Sequence, residues 1–506
     1  MRHDSRRSDV IWRCAWVTAI AMMTVHPAGP SQAGTRANLP AESRPNILLI
    51  SIDDLNSWVG YLKGHPQAKT PHMDRLAQRG VAFTNAHCTT PLCQPSRTAI
   101  LTGFAATTTR VFGNGSKFHH ESYQTLPQHF ADQGYSTFGT GKIHHKSSVT
   151  KAIFQTSDTP EQRWSPFSNK DVDYSKRELP SKGTKHPQHV ITKGPGGKRY
   201  VLPFNGMASE RSPQDRKGES FDWSAFDLPD ESFGDGQITS WAIDKIAAQP
   251  PHEPFFMAVG YYRPHIPLYA PKKYFDLYPL ESIQLPDVIP DDLSDIPAPG
   301  RERALNAVTA GTHAHVIEHG QWKQAVQAYL ACTSFVDHQL GRLLECLDAS
   351  EHADNTIVVL FSDHGWHLGE KQAWGKQSGW VHSTQVPLII SGPTTQKGAL
   401  CDEPVSLLDL YPTLSELAGV PAQDLDGVSL VDLLQDPQRD TRRVVKTHIS
   451  SDDYVLTGKR WKYIRYGDGG EELYNTRKDP REYVNLAKGT SRPKTIADLH
   501  QRVQKQ

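Results

Sequence analysis

The strongest constraint on the fold is a short apolar run that ends abruptly in two acids. Residues 46–52 are almost continuously apolar, Pro45 precedes them, and Asp53 and Asp54 follow. A run of this length without polar alternation is typical of a strand that is buried on both faces, as in parallel sheets covered by helices. The sequence therefore predicts an α/β fold.

Helix and strand patterns alternate along much of the remaining chain. Thr70 and Pro71 are typical of the N-cap and first residue of a helix that ends before Gly80, and residues 125–134 repeat this pattern. Further strands are predicted at 255–259, 356–361 and 387–391, and a long amphipathic helix at 322–347. This alternation predicts a mixed, mainly parallel sheet that is flanked by helices.

The N-terminal segment has the layout of an export signal. Arginines precede a short apolar stretch at 14–25, and small residues lead to Ala33. A cleaved signal peptide over residues 1–33 is predicted, with a periplasmic or secreted protein as its consequence, although an anchoring N-terminal helix is an alternative. No apolar run reaches the roughly 18–20 residues that a spanning helix needs, so no transmembrane segment is predicted.

The rest of the chain is predicted to form a catalytic domain over 40–437 and a smaller C-terminal α+β subdomain over 438–506. Within the first, residues 146–232 lack periodicity and are rich in Lys, Ser, Pro and Gly. We expect a long inserted loop region there, either a binding element or a spacer. After residue 438, two alternating segments and a final helical segment predict a small antiparallel sheet with one helix.

Charge and cysteine content restrict the classes of partner and the redox chemistry. The 55 basic and 55 acidic residues cancel, so nucleic acid binding is not expected. The cysteines that follow residue 33 are Cys88, Cys93, Cys332, Cys346 and Cys401. An odd number in an exported protein indicates one thiol with a special role and leaves the pairing of the other four open.

The segment 93–103, Cys-Gln-Pro-Ser-Arg-Thr-Ala-Ile-Leu-Thr-Gly, carries the most specific pattern in the chain. Pro95 suits the first position of a helix that ends at Gly103. Cys93 then lies at a helix N-terminus, where backbone N–H groups and the helix dipole favour an anion. Arg97 adds a permanent positive charge one turn further on.

Two predicted strands end in potential metal ligands. Asp53 and Asp54 follow the first strand, and Asp363 and His364 follow the strand at 356–361. Because ligands of open α/β sheets bind at the carboxyl ends of strands, these side chains are expected to converge. Three carboxylates at one point need a cation, and oxygen ligands favour Ca²⁺ or Mg²⁺ over Zn²⁺.

The Cys-x-Pro-Ser-Arg pattern, followed by four residues and Thr-Gly, resembles the signature of the type I, formylglycine-dependent sulfatases. The resemblance implies an alkaline-phosphatase-like fold. It also implies that a formylglycine-generating or sulfatase-maturing enzyme oxidises Cys93 to formylglycine. One calcium ion per chain would be held by the modified residue 93 and by Asp53, Asp54, Asp363 and His364.

Three shorter segments match the same family in the same order along the chain, at 141–145, 263–267 and 374–376. By this resemblance Lys142, His265 and Lys376 contact the sulfate ester, and His265 with Lys376 protonates the leaving alcohol. Either His144 or His145 can be the histidine of the first segment, and we favour His145. The catalytic residues implied by the resemblance are Cys93, Arg97, Lys142, His145, His265 and Lys376.

Segments 260–267 and 362–366 are similar to those of iduronate 2-sulfatases, whereas 146–232 has no clear counterpart there. The predicted function is hydrolysis of sulfate esters of sulfated saccharides. The alternatives are a phosphate or phosphonate monoester hydrolase of the same superfamily and a non-catalytic glycan-binding relative. The aromatic residues from Tyr261 to Tyr278 either stack on sugars or pack in the core.

Overall fold

The structure is a computed structural model that describes most of the chain after residue 43. The described residues are 44–160, 172–173, 190–193, 199–202, 204–205, 207, 221–306, 311–487 and 493–503. The predicted export signal and much of the predicted insertion lie outside them. Within the described part of the chain, no helix is long and apolar enough to cross a membrane.

Helices occur along the whole described chain, and the longest has 27 residues. They are α1 (Pro71–Arg79), α2 (Cys93–Thr102), α3 (Ala106–Thr109), α4 (Leu126–Asp132), α5 (Ser147–Ile153), α6 (Gly234–Ala247), α7 (Lys272–Phe275), α8 (Ala298–Leu305), α9 (His313–Glu318), α10 (Trp322–Asp348), α11 (Val381–Thr384), α12 (Leu410–Leu417), α13 (Val431–Gln435) and α14 (Pro493–Val503).

The strands form one large sheet and several smaller ones. They are β1 (Asn46–Ile52), β2 (Val81–Phe83), β3 (Ala86–His87), β4 (Ser136–Gly141), β5 (Thr156–Asp158), β6 (Val172–Asp173), β7 (Val190–Lys193), β8 (Arg199–Leu202), β9 (Trp223–Phe226), β10 (Phe255–Tyr261), β11 (Leu268–Pro271), β12 (Thr356–Ser362), β13 (His367–Leu368), β14 (Trp374–Gly375), β15 (Leu388–Ser391), β16 (Ala399–Cys401), β17 (Val405–Ser406), β18 (Val444–His448), β19 (Tyr454–Gly458), β20 (Trp461–Arg465) and β21 (Glu471–Asn475).

The central sheet has eight strands in the order β16-β2-β15-β12-β1-β10-β4-β5. Strand β1 pairs in parallel with both β10 and β12, and β4 continues the parallel arrangement beyond β10. Strand β15 pairs antiparallel with β12 and with β2. The prediction of a mixed, mainly parallel sheet is therefore confirmed, and the carboxyl ends of β1, β4, β10 and β12 share one edge.

Helices cover both faces of this sheet, which explains why apolar residues on both faces of β1 are buried. Ile47 and Leu49 pack in one core with residues of α2, α4, α5 and α12. Leu48, Ile50 and Ile52 pack in the opposite core with residues of α1, α6 and α10. Each fully buried side chain of this kind stabilises the fold by roughly 1.5–3 kcal/mol, so a polar residue in place of any of these five would be costly.

The predicted C-terminal α+β unit is present as a four-stranded antiparallel sheet, β18-β19-β20-β21. Leu499 of α14 packs on one face, against Val444, Leu456 and Tyr463. The other face packs against Ile296, Ala304 and Trp380 of the larger part of the chain. The boundary at residue 438 remains a prediction, because the two parts are joined by this apolar contact.

The prediction of a long irregular loop over 146–232 is wrong at both of its ends. Helix α5 and strand β5 begin the segment, and β5 extends the central sheet by pairing with β4. Near its other end β9 pairs with β11, and Trp223 is buried. These elements lack a strong sequence period because each is short and is stabilised by tertiary contacts instead.

Candidate active site

Polar side chains gather at the carboxyl edge of the central sheet because neighbouring strands keep their register beyond their last paired residues. Asp53 N donates a hydrogen bond to Tyr261 O at 3.2 Å, and Asp363 N donates to Ile52 O at 3.2 Å. Lys142 N donates to Gly260 O at 2.8 Å on the other side of β10. The first residues after β1, β4 and β12 are thereby held side by side.

Helix α2 delivers Cys93 to the same edge. The helix begins at Cys93 and not at Pro95, which occupies its third position. Proline is tolerated there because the first intrahelical bond is donated only by the next residue, from Ser96 N to Leu92 O at 3.1 Å. Ser96 Oγ also donates to Asp363 O at 2.6 Å, which joins the helix to β12.

Three basic side chains surround the buried sulfur of Cys93. Lys376 Nζ lies 3.1 Å from Sγ, His364 Nε2 lies at 3.3 Å and Lys142 Nζ lies at 3.7 Å. Burial raises the pKa of the Cys93 thiol, but these groups and a hydrogen bond from His145 outweigh burial and hold that pKa well below its usual range. The position is therefore built to stabilise negative charge.

Each lysine is paired with a carboxylate. Lys142 Nζ contacts Asp53 Oδ2, and Lys376 Nζ lies 2.6 Å from Asp54 Oδ1. Burial raises the pKa of Asp53, but Lys142, His265 and Arg97 outweigh it, so this pKa lies below its usual range. Burial raises the pKa of Asp54 above its ordinary value, although Lys376 opposes the change.

Arg97 is fully buried and binds the carboxylates. Its Nε donates to Asp363 Oδ2 at 2.7 Å, and its Nη2 lies 3.4 Å from Asp53 Oδ1. A third contact runs from Nη1 to Ile143 O at 3.2 Å. The guanidinium thus fixes the two acids, and its predicted action on the nucleophile stays a prediction.

The structure separates the two adjacent histidines. His145 forms the hydrogen bond with the Cys93 side chain. The ring of His144 faces away, with Nε2 at 3.2 Å from Thr98 Oγ1 and Nδ1 accepting from Lys146 N at 3.1 Å. Its ring also stacks on Phe118. This arrangement favours His145 as the residue that faces the site.

His265 is held at the opposite wall by the turn after β10. Its Nδ1 lies 2.5 Å from Ile266 O, a contact that requires a proton on Nδ1. Its Nε2 lies 4.0 Å from Asp53 Oδ2 and 3.9 Å from Asp54 Oδ2. The Nε2 edge of the ring is thus directed at the carboxylates of Asp53 and Asp54.

The predicted ligand set fits a divalent cation. Ligand atoms of Asp53, Cys93, Asp363 and His364 lie within 4.8 Å of one another, and a second group replaces the last two with Asp54 and His265. Asp54 Oδ2 is buried and accepts no hydrogen bond. Three carboxylates with one unsatisfied buried oxygen match the chemistry of a hard cation such as Ca²⁺.

Several positioning residues carry no recognisable sequence signal. Tyr329, in the middle of α10, donates its hydroxyl hydrogen to Asp54 O at 2.7 Å. Asp235 of α6 accepts from Tyr262 N at 2.8 Å and from Arg263 N at 3.1 Å, and it thereby holds the segment that carries His265. Their neighbours in sequence are ordinary helix residues, so only the tertiary contacts identify them.

The structure also bears on the role of the aromatic residues and on the state of the cysteines. The aromatic side chains considered for sugar stacking are buried, so they pack in the core; they are Tyr261, Tyr262, Tyr269, Tyr274, Phe275 and Tyr278. Within the described residues all five cysteines are free thiols. Cys93 is thus distinguished by its basic surroundings and not by being the thiol left over from disulfide pairing.

Comparison with known proteins identifies relatives over most of the chain. The family described as Sulfatase matches residues 45–420, and the family described as N-sulphoglucosamine sulphohydrolase, C-terminal, matches residues 369–506. A sulfatase of Formosa agariphila is 37% identical over 456 residues, which cover 88% of this chain and 83% of that protein. Iduronate 2-sulfatase of Homo sapiens is 33% identical over 417 residues, covering 79% and 69%.

Solved structures share the fold over 91% of this chain. One, in complex with its substrate D-glucosamine-2-N,6-O-disulfate, has a TM-score of 0.67 at 21% identity and is covered over 97% of its length. Phosphonate monoester hydrolase of Agrobacterium radiobacter has a TM-score of 0.68 at 20% identity and is covered over 94%. At such identities the likeness establishes the alkaline-phosphatase-like fold alone.

Proposed function

The chain belongs to the sulfatase family and is a sulfuric ester hydrolase, and from this premise we propose that it removes sulfate from saccharides by means of a formylglycine at position 93. The sequence similarity to iduronate 2-sulfatase of Homo sapiens supports a sugar sulfate as substrate. The Cys-x-Pro-Ser-Arg segment supports the oxidation of Cys93 by a maturing enzyme. Export through residues 1–33 to the periplasm or the medium is part of the proposal.

The observation that carries this proposal is the convergence of basic groups on one buried position. Lys142, Lys376 and His364 all lie within 3.7 Å of Cys93 Sγ. A sulfate ester brings negatively charged oxygens to whichever group attacks its sulfur, and preorganised cations stabilise that charge where water is excluded. A structural thiol in the core would need no such surroundings.

The side chains have separate roles in this proposal. Lys142 and Lys376 bind sulfate oxygens, and His265 with Lys376 delivers a proton to the departing alcohol oxygen. His145 orients the reactive side chain at position 93. Arg97 keeps the carboxylates in place. A formylglycine at position 93 would supply a hydroxyl nucleophile toward sulfur, in surroundings that Lys142, Lys376 and His364 make positively charged.

A calcium ion would be held by Asp53, Asp54, Asp363 and His364, together with the modified residue 93. When bound, it supplies positive charge that stabilises the attacking oxygen and offsets the repulsion among the three acids. We assign Asp363 as the base that would accept a proton from the nucleophile at position 93, and Arg97 holds its carboxylate in place at 2.7 Å.

Mass analysis of the peptide that contains residue 93 tests the nucleophile directly. In protein from a host with a maturing enzyme we expect a loss of about 18 Da relative to cysteine, the change from a thiol to an aldehyde. The peptide that contains Cys332, a buried thiol, is the internal control and should keep its mass. Full activity with an unmodified thiol at 93 would contradict the proposal.

A substrate panel separates this function from its alternatives. Phosphonate ester hydrolysis is the second candidate because a phosphonate monoester hydrolase shares the fold. We expect the highest kcat/KM on a sulfated saccharide. Faster turnover of phosphonate esters would favour the second candidate, and glycan binding with no turnover of any ester would favour a non-catalytic relative.

A further inference from the structure

A cavity of about 280 Å³ adjoins the site on the side of Lys376, close to the lower end of the roughly 300–1,000 Å³ range of small-molecule sites. Its walls are Pro299, Glu302 and Arg303 of α8, Asn306 directly after that helix, and Trp374, Lys376 and Gln377. Lys376 belongs to both the cavity and the catalytic cluster, since its Nζ lies 3.1 Å from Cys93 Sγ. A substrate whose sulfate reaches residue 93 can therefore place a neighbouring group in this cavity.

Arg303 of α8 presents an incompletely used guanidinium to the cavity. Its Nη2 pairs with Asp453 Oδ2, and its Nη1 makes a long hydrogen bond of 3.4 Å to Gln377 O. Its Nε is buried and has no hydrogen-bond partner. The two terminal nitrogens carry four N–H groups and these two contacts use one each, so the guanidinium, which is 28% exposed, keeps donors for a ligand oxygen in the cavity.

The cavity wall favours an anion. Among the described residues that line it, the charged side chains are Arg303, Lys376 and Glu302. Glu302 is exposed on α8, so the inner wall carries the two cations. Asp453, the acid that pairs with Arg303, is not among the lining residues.

The guanidinium is also held in place before any ligand arrives. Asp453 Oδ1 accepts from Gly467 N at 2.8 Å, and Asp453 N donates to Ser450 Oγ at 3.0 Å. Residues of the C-terminal unit thus hold Asp453 in place, and Asp453 in turn holds Arg303. Preorganisation of this kind reduces the entropy lost when a ligand binds.

We propose that Arg303 binds a second oxyanion of the substrate, carried on the same saccharide as the sulfate that is removed. The inference rests on the proposed function and adds to it a requirement for a doubly anionic sugar. A carboxylate matches the planar guanidinium fork, and a second sulfate carries the same charge. Both are oxyanions, and the experiment distinguishes them.

The test compares kcat/KM for four substrates: a sulfated disaccharide with a carboxylate, the same compound with the carboxyl group reduced to an alcohol, a neutral disaccharide with two sulfates, and an aryl sulfate. The wild type should prefer one or both of the doubly anionic sugars, and the preferred one identifies the oxyanion. Arg303→Gln should reduce that preference, relative to the aryl sulfate, about 10- to 100-fold through a higher KM.

The matched control is Arg301→Gln. Arg301 lies on the same helix, is exposed and donates to Ile296 O at 2.9 Å, but it does not line the cavity. Its substitution should leave the substrate preference unchanged. If Arg303→Gln does not fold, Arg303→Lys, which keeps the charge beside Asp453 and loses the fork, should reduce the preference at least severalfold.

An unchanged preference in a folded Arg303 variant overturns the inference, as does a wild type that does not distinguish doubly from singly anionic sugars. These results leave the proposed function intact, since sulfate is still removed. A wild-type enzyme with residue 93 converted that hydrolyses none of the four sulfate esters overturns the proposed function and the inference together.

Discussion

Some residues at the carboxyl edge of the sheet contact Cys93, and others support the residues that do. His145 and His144 are adjacent in the chain, yet one contacts Cys93 and the other contacts Thr98. Burial lowers the pKa of His144 to about 3, so this ring is neutral and serves as a fixed packing element. The pair therefore offers a test with matched chemistry at neighbouring positions.

We expect His145→Ala to reduce kcat/KM by about 100-fold or more, as loss of a positioned polar group in an active site does. His144→Ala should instead reduce the free energy of unfolding by about 1–3 kcal/mol, because two hydrogen bonds and a ring contact are lost from a buried place. Activity per folded molecule and thermal unfolding measure both effects. The reverse pattern would assign the site histidine to position 144.

Asp54 is the residue whose backbone is most suited to a substitution that tests the metal. It has φ of +63°, a conformation that asparagine tolerates better than most residues. Asp54→Asn should therefore fold but retain well under one calcium per chain after dialysis, because a carboxylate ligand becomes a neutral amide. Elemental analysis measures this, independently of turnover.

Asp222→Asn is the control for calcium content, since Asp222 is buried and accepts hydrogen bonds from Phe204 N and Asn205 N. This variant should keep its calcium. Equal calcium in wild type and Asp54→Asn would exclude Asp54 as a ligand, and stoichiometric zinc in the wild type would contradict the assignment of the ion.

At the scale of secondary-structure elements, the N-terminus of helix α1 is capped by a carboxylate of another helix, α10. Thr70 occupies the predicted N-cap position of α1, but its Oγ1 accepts from Gly60 N at 2.8 Å. The α1 backbone N–H groups of His72 and Met73 are accepted instead by Asp337 of α10, at 3.1 and 2.8 Å. Helices α1 and α10 are thereby fixed to each other beneath the sheet.

This cap predicts a pH effect on stability. Burial raises the pKa of Asp337 from 3.8 to about 7 in the folded chain. Between about pH 4 and pH 7 the folded chain then binds more protons at this residue than the unfolded chain, so its contribution to stability falls as the pH rises. The side chain of an Asp337→Asn variant does not titrate and therefore lacks this dependence.

The free energy of unfolding of Asp337→Asn, relative to wild type, should therefore increase from pH 4 to pH 7, with a slope of at most about 1.4 kcal/mol per pH unit. Denaturant unfolding at several pH values measures the difference. A difference that does not vary with pH would show that the carboxyl group is ionised throughout that range.

At the scale of the whole molecule, the C-terminal sheet is joined to the segment that carries Lys376. Lys462 of β20 is buried, with Nζ at 2.9 Å from Glu482 Oε1 and at 3.1 Å from Thr384 Oγ1. The other oxygen of Glu482 accepts from Val381 N at 2.8 Å. Helix α11, which follows Lys376, is thus anchored by the C-terminal unit.

Lys462→Met should destabilise the protein by about 3–5 kcal/mol, because it leaves a buried carboxylate without its counter-ion. Arg465→Met, on the same strand, removes only the exposed pair with Glu471 and should cost less than about 1 kcal/mol. Thermal unfolding compares the two. Equal effects would indicate that the buried ion pair does not join the C-terminal sheet to the rest of the fold.

The sequence by itself determined the fold class, the positions of the main strands and the identity of the polar residues at the carboxyl edge. Strand β1 coincides with the predicted run 46–52, because burial on both faces imposes an almost continuous apolar pattern that only Asn46 and Ser51 interrupt. The family signature at 93–103 needed no structure, since its residues are adjacent in the chain. These features are local and carry their information in consecutive residues.

Only the tertiary structure decided which groups meet. The hydrogen bond of His145 with Cys93, the direction of Arg97 toward the carboxylates, the support of Asp54 by Tyr329 and the exposure of Arg303 to a cavity all depend on contacts between residues distant in sequence. The same is true of α5 and β9, whose short patterns were masked by polar neighbours. The environment of a side chain is set by the helices and strands that pack around it. These come from distant parts of the chain, so the pattern of the side chain's own segment does not reveal them.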